Sequence, residues 1–174
     1  MTAQLHNYWK NITLMTESQI TNLVRSILHS SGMVLIGFSL ALVGTQIDSR
    51  LGLSSLSSGF AIAVGCLLFG IGFLLRVLAT FYFYEHQAHV ISPAPQRSLI
   101  MAGPYDFSRN PLYLGGNVFI FFGAALSLGS PSALAITAVH LPLVDLLIRR
   151  EERQLEAYFG EAWERYRNRV RRWI

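Results

Sequence analysis

The sequence is poor in charged residues. Only 14% of its 174 residues are charged, whereas soluble domains average about 25%. Hydrophobic residues make up 52% of the chain, and the mean hydropathy is +0.39. This composition excludes an intrinsically disordered chain. It predicts an integral membrane protein whose residues 1–174 form a single domain.

Cysteine and lysine are almost absent. The single cysteine, Cys66, lies in an apolar run, which excludes a fold held together by disulfide bonds. Lys10 is the one lysine, so arginine supplies 13 of the 14 basic residues. Eight of these arginines lie between Arg149 and Arg172, together with five glutamates. Basic residues beside membrane spans contact headgroups and set orientation, so we expect membrane lipids and no nucleic acid as partners.

Four apolar stretches are long enough to be transmembrane helices. They cover about residues 27–44, 59–83, 112–128 and 131–148. Because a helix needs roughly 17 to 25 residues to cross a bilayer, the predicted fold class is an all-α polytopic membrane protein with about four spans. In the second span, Gly65, Gly70 and Gly72 offer small surfaces on which a neighbouring helix can pack closely.

The basic residues predict how the chain is oriented. They occur before the first span, in the connection after the second span and in the C-terminal tail. The opposite connections contain only Arg50, which Asp48 balances. The positive-inside rule therefore places the N- and C-termini in the cytoplasm. Residues 1–26 include Tyr8 and Trp9 and are expected to lie along the membrane interface.

Three polar residues lie inside the predicted spans, where such side chains are costly and commonly functional. Arg76 is near enough to the end of its span for its side chain to extend to the headgroups. Asn117 and Asp145 are expected to face the bundle, either as hydrogen-bonding partners between helices or as part of a site.

No metal site is predicted. Glu85, His86 and His89 are close in sequence, but a helical zinc site of the common protease type has its histidines four apart with a glutamate between them. Here the histidines are three apart and the glutamate precedes both. These side chains are therefore expected to be solvated or paired.

Residues 99–116 combine turn signals with polar and aromatic side chains on the cytoplasmic side. Gly103-Pro104 predicts a turn, and Asn110-Pro111 predicts a helix that begins at the proline. Two tyrosines flank the Arg-Asn pair. This pattern indicates a polar pocket at a helix N-terminus, which favours a carboxylate or another anion.

The C-terminal segment predicts an amphipathic helix that lies on the membrane or caps the bundle. Its apolar residues recur at steps of three and four: Leu155, Phe159, Trp163, Tyr166, Val170 and Trp173. Gly160 is expected to break this helix. Glu151 and Glu152 lie where the fourth span leaves the bilayer. Their carboxylates can bind an ammonium group or stabilise a sulfonium, or they can simply pair with neighbouring arginines.

Together these two segments resemble the isoprenylcysteine carboxyl methyltransferase family, which also takes in phospholipid and related membrane methyltransferases. That family has a Gly-Pro-Tyr turn, an Arg-His-Pro-x-Tyr element opening a membrane helix, and a Glu-Glu-x-x-Leu followed by Phe-Gly. The corresponding residues here are Gly103-Pro104-Tyr105, Arg109-Asn110-Pro111-Leu112-Tyr113, Glu151-Glu152-Arg153-Gln154-Leu155 and Phe159-Gly160. The resemblance covers about residues 70–174, the expected cofactor-binding and catalytic part.

The resemblance implies a methyltransferase that uses S-adenosylmethionine, releases S-adenosylhomocysteine and acts on a lipophilic or lipid acceptor. Carried over by position, the cofactor-binding residues are Arg97, Ser98, Leu99, Ile100, Tyr105, Arg109, Asn110, Pro111, Leu112, Tyr113, Glu151 and Glu152. The residues expected to be catalytic are Glu151, Glu152, Arg149 and Arg150. A helix N-terminus suits the methionyl carboxylate of the cofactor, and a glutamate suits its ammonium group.

The sequence departs from the family pattern at two positions. Asn110 replaces the family's histidine; it keeps a hydrogen-bond donor and an acceptor but cannot titrate. Leu147 and Ile148 lie where prenylcysteine methyltransferases carry an arginine one helical turn before the glutamates. The methyl acceptor is therefore left open among a carboxylate, an amine and a thiol.

The alternative function is a non-catalytic membrane binding or assembly module that retains the fold. A transporter component is disfavoured, because the few charges within the spans hardly supply a polar path across the bilayer.

Overall fold

The computed structural model describes residues 15–86 and 98–174. Within these ranges the chain is helical and contains no strand. The elements are α1 (Glu17–Leu51), α2 (Gly59–Glu85), a short 3-10 helix (Gly103–Asp106), α3 (Pro111–Ser127), α4 (Pro131–Phe159) and α5 (Glu161–Arg169). Of the segment predicted to lie along the interface, residues 1–26, the first 14 fall outside the described residues, and residues 17–26 form the start of α1. His89 and Arg97 also fall outside the described residues.

The predicted all-α membrane fold is confirmed. Helices α1, α2 and α4 are long and apolar enough to cross a membrane. The third predicted span, α3, is apolar but shorter, with 17 residues at most. At about 1.5 Å per residue it is roughly 26 Å long, slightly less than the thickness of the hydrocarbon core.

Two helices extend further than the hydropathy indicated. Helix α1 begins at Glu17, because Thr16 and Gln19 form a capping box in which each side chain bonds the other's backbone N–H. Helix α4 runs unbroken to Phe159, since no helix breaker follows the apolar stretch until Gly160. Gly160 has φ of 50°, a conformation that favours glycine. It separates α4 from α5, so the predicted break is confirmed.

Close helix packing depends on two of the three glycines predicted for it in α2. A Cβ added to Gly72 would lie 2.6 Å from the Phe119 side chain and 2.7 Å from the Gly115 carbonyl oxygen. One added to Gly65 would lie 2.6 Å from the Ser127 backbone nitrogen. The prediction is wrong for Gly70, which has open space beside it.

The prediction that Arg76 reaches the headgroups is wrong. Arg76 is 7% exposed, its Nη1 donates to the Leu112 carbonyl oxygen at 2.8 Å, and its Nη2 lies 3.4 Å from His29 Nε2. Room for the guanidinium exists because residue 116 is glycine, where a Cβ would lie 2.8 Å from Nη1. The Leu112 carbonyl precedes a wider, π-helical stretch of α3, Leu114–Ile120. Such stretches are rare and commonly lie next to functional sites.

The other two polar residues have partners on neighbouring elements. Asn117 Oδ1 lies 3.0 Å from His140 Nε2, which links α3 to α4. Of the two roles that the sequence left open for Asn117, this contact is hydrogen bonding between helices. Asp145, in the middle of α4, pairs with Arg149 one turn further along the same helix and with Arg172 beyond α5.

Candidate functional site

A cleft lies where α3 begins and the final turns of α4 meet α5. It encloses about 540 Å³ of empty space, counting its open mouth. Its lining residues are Phe83, Leu99, Ile100, Tyr105, Arg109, Asn110, Pro111, Leu112, Tyr113, Glu151, Glu152, Leu155, Trp163 and Tyr166.

One wall is the turn that precedes α3. Gly103 has φ of 64°, and a Cβ at this position would collide with the Tyr82 ring, so the position requires glycine. The turn buries Tyr105 against Phe83, with ring centroids 5.6 Å apart. The Tyr105 carbonyl oxygen accepts a hydrogen bond from Tyr166 Oη at 2.8 Å, which attaches the turn to α5.

Asn110 and Pro111 then direct the chain into α3. The Asn110 backbone N–H donates to Ser108 Oγ at 3.1 Å, and Pro111 takes the first helical position, where a backbone N–H is not needed. The Asn110 side-chain amide donates to the Arg172 carbonyl oxygen at 3.2 Å. The polar end of Asn110 is therefore engaged with the C-terminal residues.

The opposite wall contains a buried charge network centred on Glu152. Arg172 Nη2 donates to Glu152 Oε2 at 2.6 Å, and Arg109 Nη2 lies 3.3 Å from Glu152 Oε1. The hydrogen bond to Glu152 raises the pKa of Arg172 above its ordinary value. Arg172 also contacts Asp145 at 3.3 Å. Glu152 thus holds two guanidinium groups at the base of the cleft.

Four buried polar atoms of the lining have no hydrogen-bond partner among the described residues. They are Tyr105 Oη, Arg109 Nε, Arg109 Nη1 and Trp163 Nε1. The Arg109 guanidinium lies 5.6 Å from the centre of the Trp163 ring, which is within the range of a cation–π contact. Buried polar groups are normally paired. These atoms therefore point to a ligand that supplies hydrogen-bond acceptors.

Burial affects the titration of two of these side chains. It lowers the pKa of Arg109, although the neighbouring Glu152 opposes the effect, and a guanidinium remains charged in proteins. Burial raises the pKa of Tyr105 well above its usual value. The site therefore presents a permanent cation and a neutral phenol.

The mouth of the cleft carries a different carboxylate. Tyr113 Oη donates to Glu151 Oε1 at 2.6 Å. The second oxygen of Glu151 has no partner among the residues that the structure describes, and the residue is exposed. An anionic group is thus available beside the phenol of Tyr113.

The structure brings most of the predicted cofactor residues to this one cleft. Those that line it are Leu99, Ile100, Tyr105, Arg109, Asn110, Pro111, Leu112, Tyr113, Glu151 and Glu152. Ser98 is next to Leu99 in the chain but is not among the lining residues, and Arg97 is outside the described part of the chain.

The two arginines predicted to be catalytic do not line the cleft. Arg149 is exposed, and its Nε donates to Asp145 Oδ2 at 2.6 Å. Arg150 is also exposed. Both positions face away because the helical rotation that brings Glu151 and Glu152 to the cleft turns the preceding residues outward.

The predicted set lacked four residues that line the cleft: Phe83, Leu155, Trp163 and Tyr166. It also lacked Arg172, which pairs with Glu152. Trp163 and Tyr166 belonged to the apolar stripe of the C-terminal segment, and they pack with Leu99 in one buried cluster. The apolar stripe of the C-terminal segment therefore packs on the loop that precedes α3. Arg172 carried no signal of its own, since it was one of eight arginines in that segment.

Comparison with known proteins supports a family assignment. No curated protein and no solved structure matches the chain. A family model described as phospholipid methyltransferase matches residues 60–162, which run from the start of α2 into α5 and make up more than half of the chain. The chain therefore belongs to the phospholipid methyltransferase family of membrane proteins.

Proposed function

We propose that this protein is a membrane methyltransferase that uses S-adenosylmethionine to methylate a lipophilic or lipid acceptor. The observation that carries the proposal is the set of buried donors in the cleft that no described residue satisfies. Leaving such donors unpaired costs free energy, which a ligand with acceptor atoms recovers. The family match supports methyl transfer as the reaction class.

Arg109 is the residue that best fits the cofactor carboxylate. Its Nη2 is held by Glu152, while Nε and Nη1 have no partner in the described part of the chain. Charge-assisted hydrogen bonds to a carboxylate are the strong ones in proteins. Trp163 Nε1 and Tyr105 Oη are further polar atoms without a partner in the described part of the chain, and both residues line the cleft.

Glu151 is the residue best placed to bind a positively charged group or to accept a proton from the methyl acceptor. It lies at the mouth, and its partner in the described chain is the neutral Tyr113 phenol. Its carboxylate suits the ammonium group of the cofactor, or it takes up the proton that an amine or thiol acceptor loses. Glu152 cannot readily do either, because Arg109 and Arg172 already neutralise it.

The apolar half of the cleft aligns the reacting groups and excludes water. Phe83, Leu112 and Leu155 line it beside the aromatic ring of Tyr105, and aromatic faces attract a sulfonium cation. Bound S-adenosylmethionine supplies a methyl group that the acceptor's lone pair attacks as the carbon–sulfur bond breaks and its electrons return to sulfur. Catalysis of such a displacement comes mainly from alignment.

The position of the cleft suits a lipid-dissolved acceptor. The turn at Gly129 joins the ends of α3 and α4 on the far side, and Pro111 begins α3 about 26 Å above it. The cleft therefore opens near the boundary between hydrocarbon and headgroups. Exposed Leu143, Leu146 and Leu147 on α4 lie one to two turns below Glu151, on a surface suited to acyl chains.

Orientation and domain limits complete the proposal. The cleft, the end of α4 and α5 lie on the side that carries the C-terminal arginines, which the positive-inside rule assigns to the cytoplasm. Both termini are then cytoplasmic, where a soluble cofactor has access. Residues 70–174 form the cofactor-binding and catalytic part of a single domain.

Titration with S-adenosylhomocysteine tests the proposal without knowledge of the acceptor. We expect saturable one-to-one binding by calorimetry of the purified protein in detergent. Arg109→Met should weaken this binding at least about tenfold, because it removes a charge-assisted contact. Arg165→Met is the matched control, since Arg165 is exposed and pairs only with exposed Glu161 among the described residues.

Absence of binding to folded wild-type protein would overturn the proposal. The non-catalytic membrane module would then be the better description of this member of the family.

A further inference from the structure

We propose that the last residues of the chain form part of the cofactor site, with Arg172 as a positioning residue that fixes Arg109 through Glu152. This inference rests on the proposed function. It concerns residues 170–173, here named the C-terminal strap. The strap lies beyond residues 60–162, which the family model matches.

The strap is attached to the site through its backbone. The Arg109 N–H donates to the Arg171 carbonyl oxygen at 2.9 Å. The Arg172 carbonyl oxygen accepts from Ser108 Oγ at 3.3 Å and from Asn110 Nδ2 at 3.2 Å. Three consecutive loop residues thus bind two consecutive carbonyl groups, which sets the position of the strap beside the cleft.

That attachment places the Arg172 guanidinium against two carboxylates of α4. Its Nη2 donates to Glu152 Oε2 at 2.6 Å, and its Nε lies 3.2 Å from both Glu152 oxygens. Its Nη1 is 3.3 Å from Asp145 Oδ1. Arg172 is therefore the stronger partner of Glu152, whereas the contact from Arg109 Nη2 is longer, at 3.3 Å.

The consequence concerns the free nitrogens of Arg109. While Arg172 neutralises Glu152, that carboxylate contacts only one nitrogen of Arg109, and Nε and Nη1 have no partner among the described residues. Without Arg172, the buried Glu152 has Arg109 as its one remaining cation within the described structure. It would then compete with the carboxylate of a ligand for the same guanidinium. Arg172 thereby keeps Arg109 open for a ligand that it does not itself contact.

The affinities for two ligands distinguish a positioning role of Arg172 from a general contribution to folding. S-adenosylhomocysteine carries the amino-acid carboxylate, whereas 5′-methylthioadenosine shares the adenosine and thioether but lacks the amino and carboxyl groups. We expect Arg172→Met to weaken S-adenosylhomocysteine binding about tenfold, by loss of one charge-assisted contact. Its affinity for 5′-methylthioadenosine should stay within about twofold of wild type, because no contact to the adenosine part changes.

Three further variants complete the measurement, which is calorimetric titration of the detergent-solubilised full chain. Arg109→Met should show the same selective loss, because it removes the proposed carboxylate contact itself. Arg165→Met removes an exposed arginine from α5 and should leave both affinities unchanged. Arg172→Lys keeps the charge without the planar guanidinium and should give a smaller selective loss, about threefold. If the Arg172→Met protein does not fold, Arg172→Lys takes its place in the test.

The outcomes are distinguishable. Equal weakening of both ligands by Arg172→Met and Arg172→Lys, or no effect on either, overturns the positioning role while leaving the proposed function intact. If wild-type protein binds neither ligand, the proposed function fails and the role of Arg172 fails with it.

Discussion

Glu151 and Glu152 are adjacent in the chain, but their carboxylates have different partners. Glu152 is 8% exposed and lies between Arg109 and Arg172. Glu151 is at the cleft mouth and accepts a hydrogen bond from the neutral Tyr113. Breaking a buried ion pair leaves uncompensated charge, whereas an exposed carboxylate contributes little to stability. The two residues should therefore respond differently to the same substitution.

Glu152→Gln should lower the free energy of unfolding by about 2 kcal/mol, because it leaves two neighbouring guanidinium groups without their shared carboxylate. Glu151→Gln should change stability by less than about 0.5 kcal/mol and should lower methyl transfer or cofactor affinity. Thermal unfolding in detergent and titration with S-adenosylhomocysteine measure the two effects. Equal loss of stability in both variants would contradict the assignment of Glu152 to structural stability and of Glu151 to ligand binding or methyl transfer.

Asn110 illustrates how a departure from the family pattern is accommodated. Its side-chain amide donates to the Arg172 carbonyl oxygen, a bond that an imidazole N–H can also make. The structure thus uses this position to hold the C-terminal strap, and such a contact requires a donor rather than a titrating group.

At the scale of helices, the site depends on how closely α2 approaches α3. The two helices meet at Gly72 and Gly115, whose backbone atoms leave no space for a side chain. Helix association within membranes relies on such small residues, since no hydrophobic driving force acts between helices there. Because α3 begins at the cleft, displacement of α3 would also displace Pro111, Leu112 and Tyr113.

Gly72→Ala should destabilise the protein by about 1–3 kcal/mol, because the new methyl group overlaps the backbone and a Cβ of α3. Gly70→Ala lies two residues away in the same helix, with nothing within 4 Å. It should be neutral or stabilise by less than about 1 kcal/mol through helix propensity. Thermal unfolding of both variants in detergent makes the comparison. A Gly72→Ala protein as stable as Gly70→Ala would show that the helices separate without cost.

At the scale of the whole molecule, the proposed orientation rests on the uneven distribution of charge. Eight arginines follow the membrane part of α4, and the cleft lies at the same end of the bundle. The connection between α1 and α2, residues 52–58, contains no charged residue. In the proposed orientation this asymmetry corresponds to a cleft on the cytoplasmic side, which a soluble cofactor and a lipid can both reach.

Cysteine labelling tests this orientation. In a Cys66→Ser background, Ser54→Cys places a thiol in the exposed connection after α1, and Gln154→Cys places one on the exposed end of α4. A membrane-impermeant maleimide applied to intact cells should label Ser54→Cys only. Gln154→Cys should react after permeabilisation. The reverse pattern would place the cleft outside and contradict the proposed orientation.

Local sequence signals were sufficient for the helices and for the turns before α3, whereas the predicted site residues came from the family resemblance. Long apolar runs predict membrane helices because unpaired backbone groups are not tolerated in lipid. Gly103-Pro104 and Asn110-Pro111 predict their turns through backbone geometry alone. The Arg-Asn-Pro and Glu-Glu segments belong to the cleft lining as their resemblance to the family implied.

The remaining features depend on contacts between residues that are distant in the chain. Arg76 bonds to Leu112 rather than reaching the headgroups, and this depends on how α2 faces α3. Only the packing distinguishes Gly72 from Gly70, because both lie in the same apolar run.

The amino-acid sequence by itself determined that this is an all-α membrane protein with a polar turn before its third apolar helix, since hydropathy and turn propensity act locally. Only the tertiary structure decided which charges meet. Arg172 reaches Glu152 across the break at Gly160, 20 residues away, and Arg109 pairs with the same carboxylate. Such pairing is set by how α5 folds back on α4, and eight similar arginines in one segment cannot specify it.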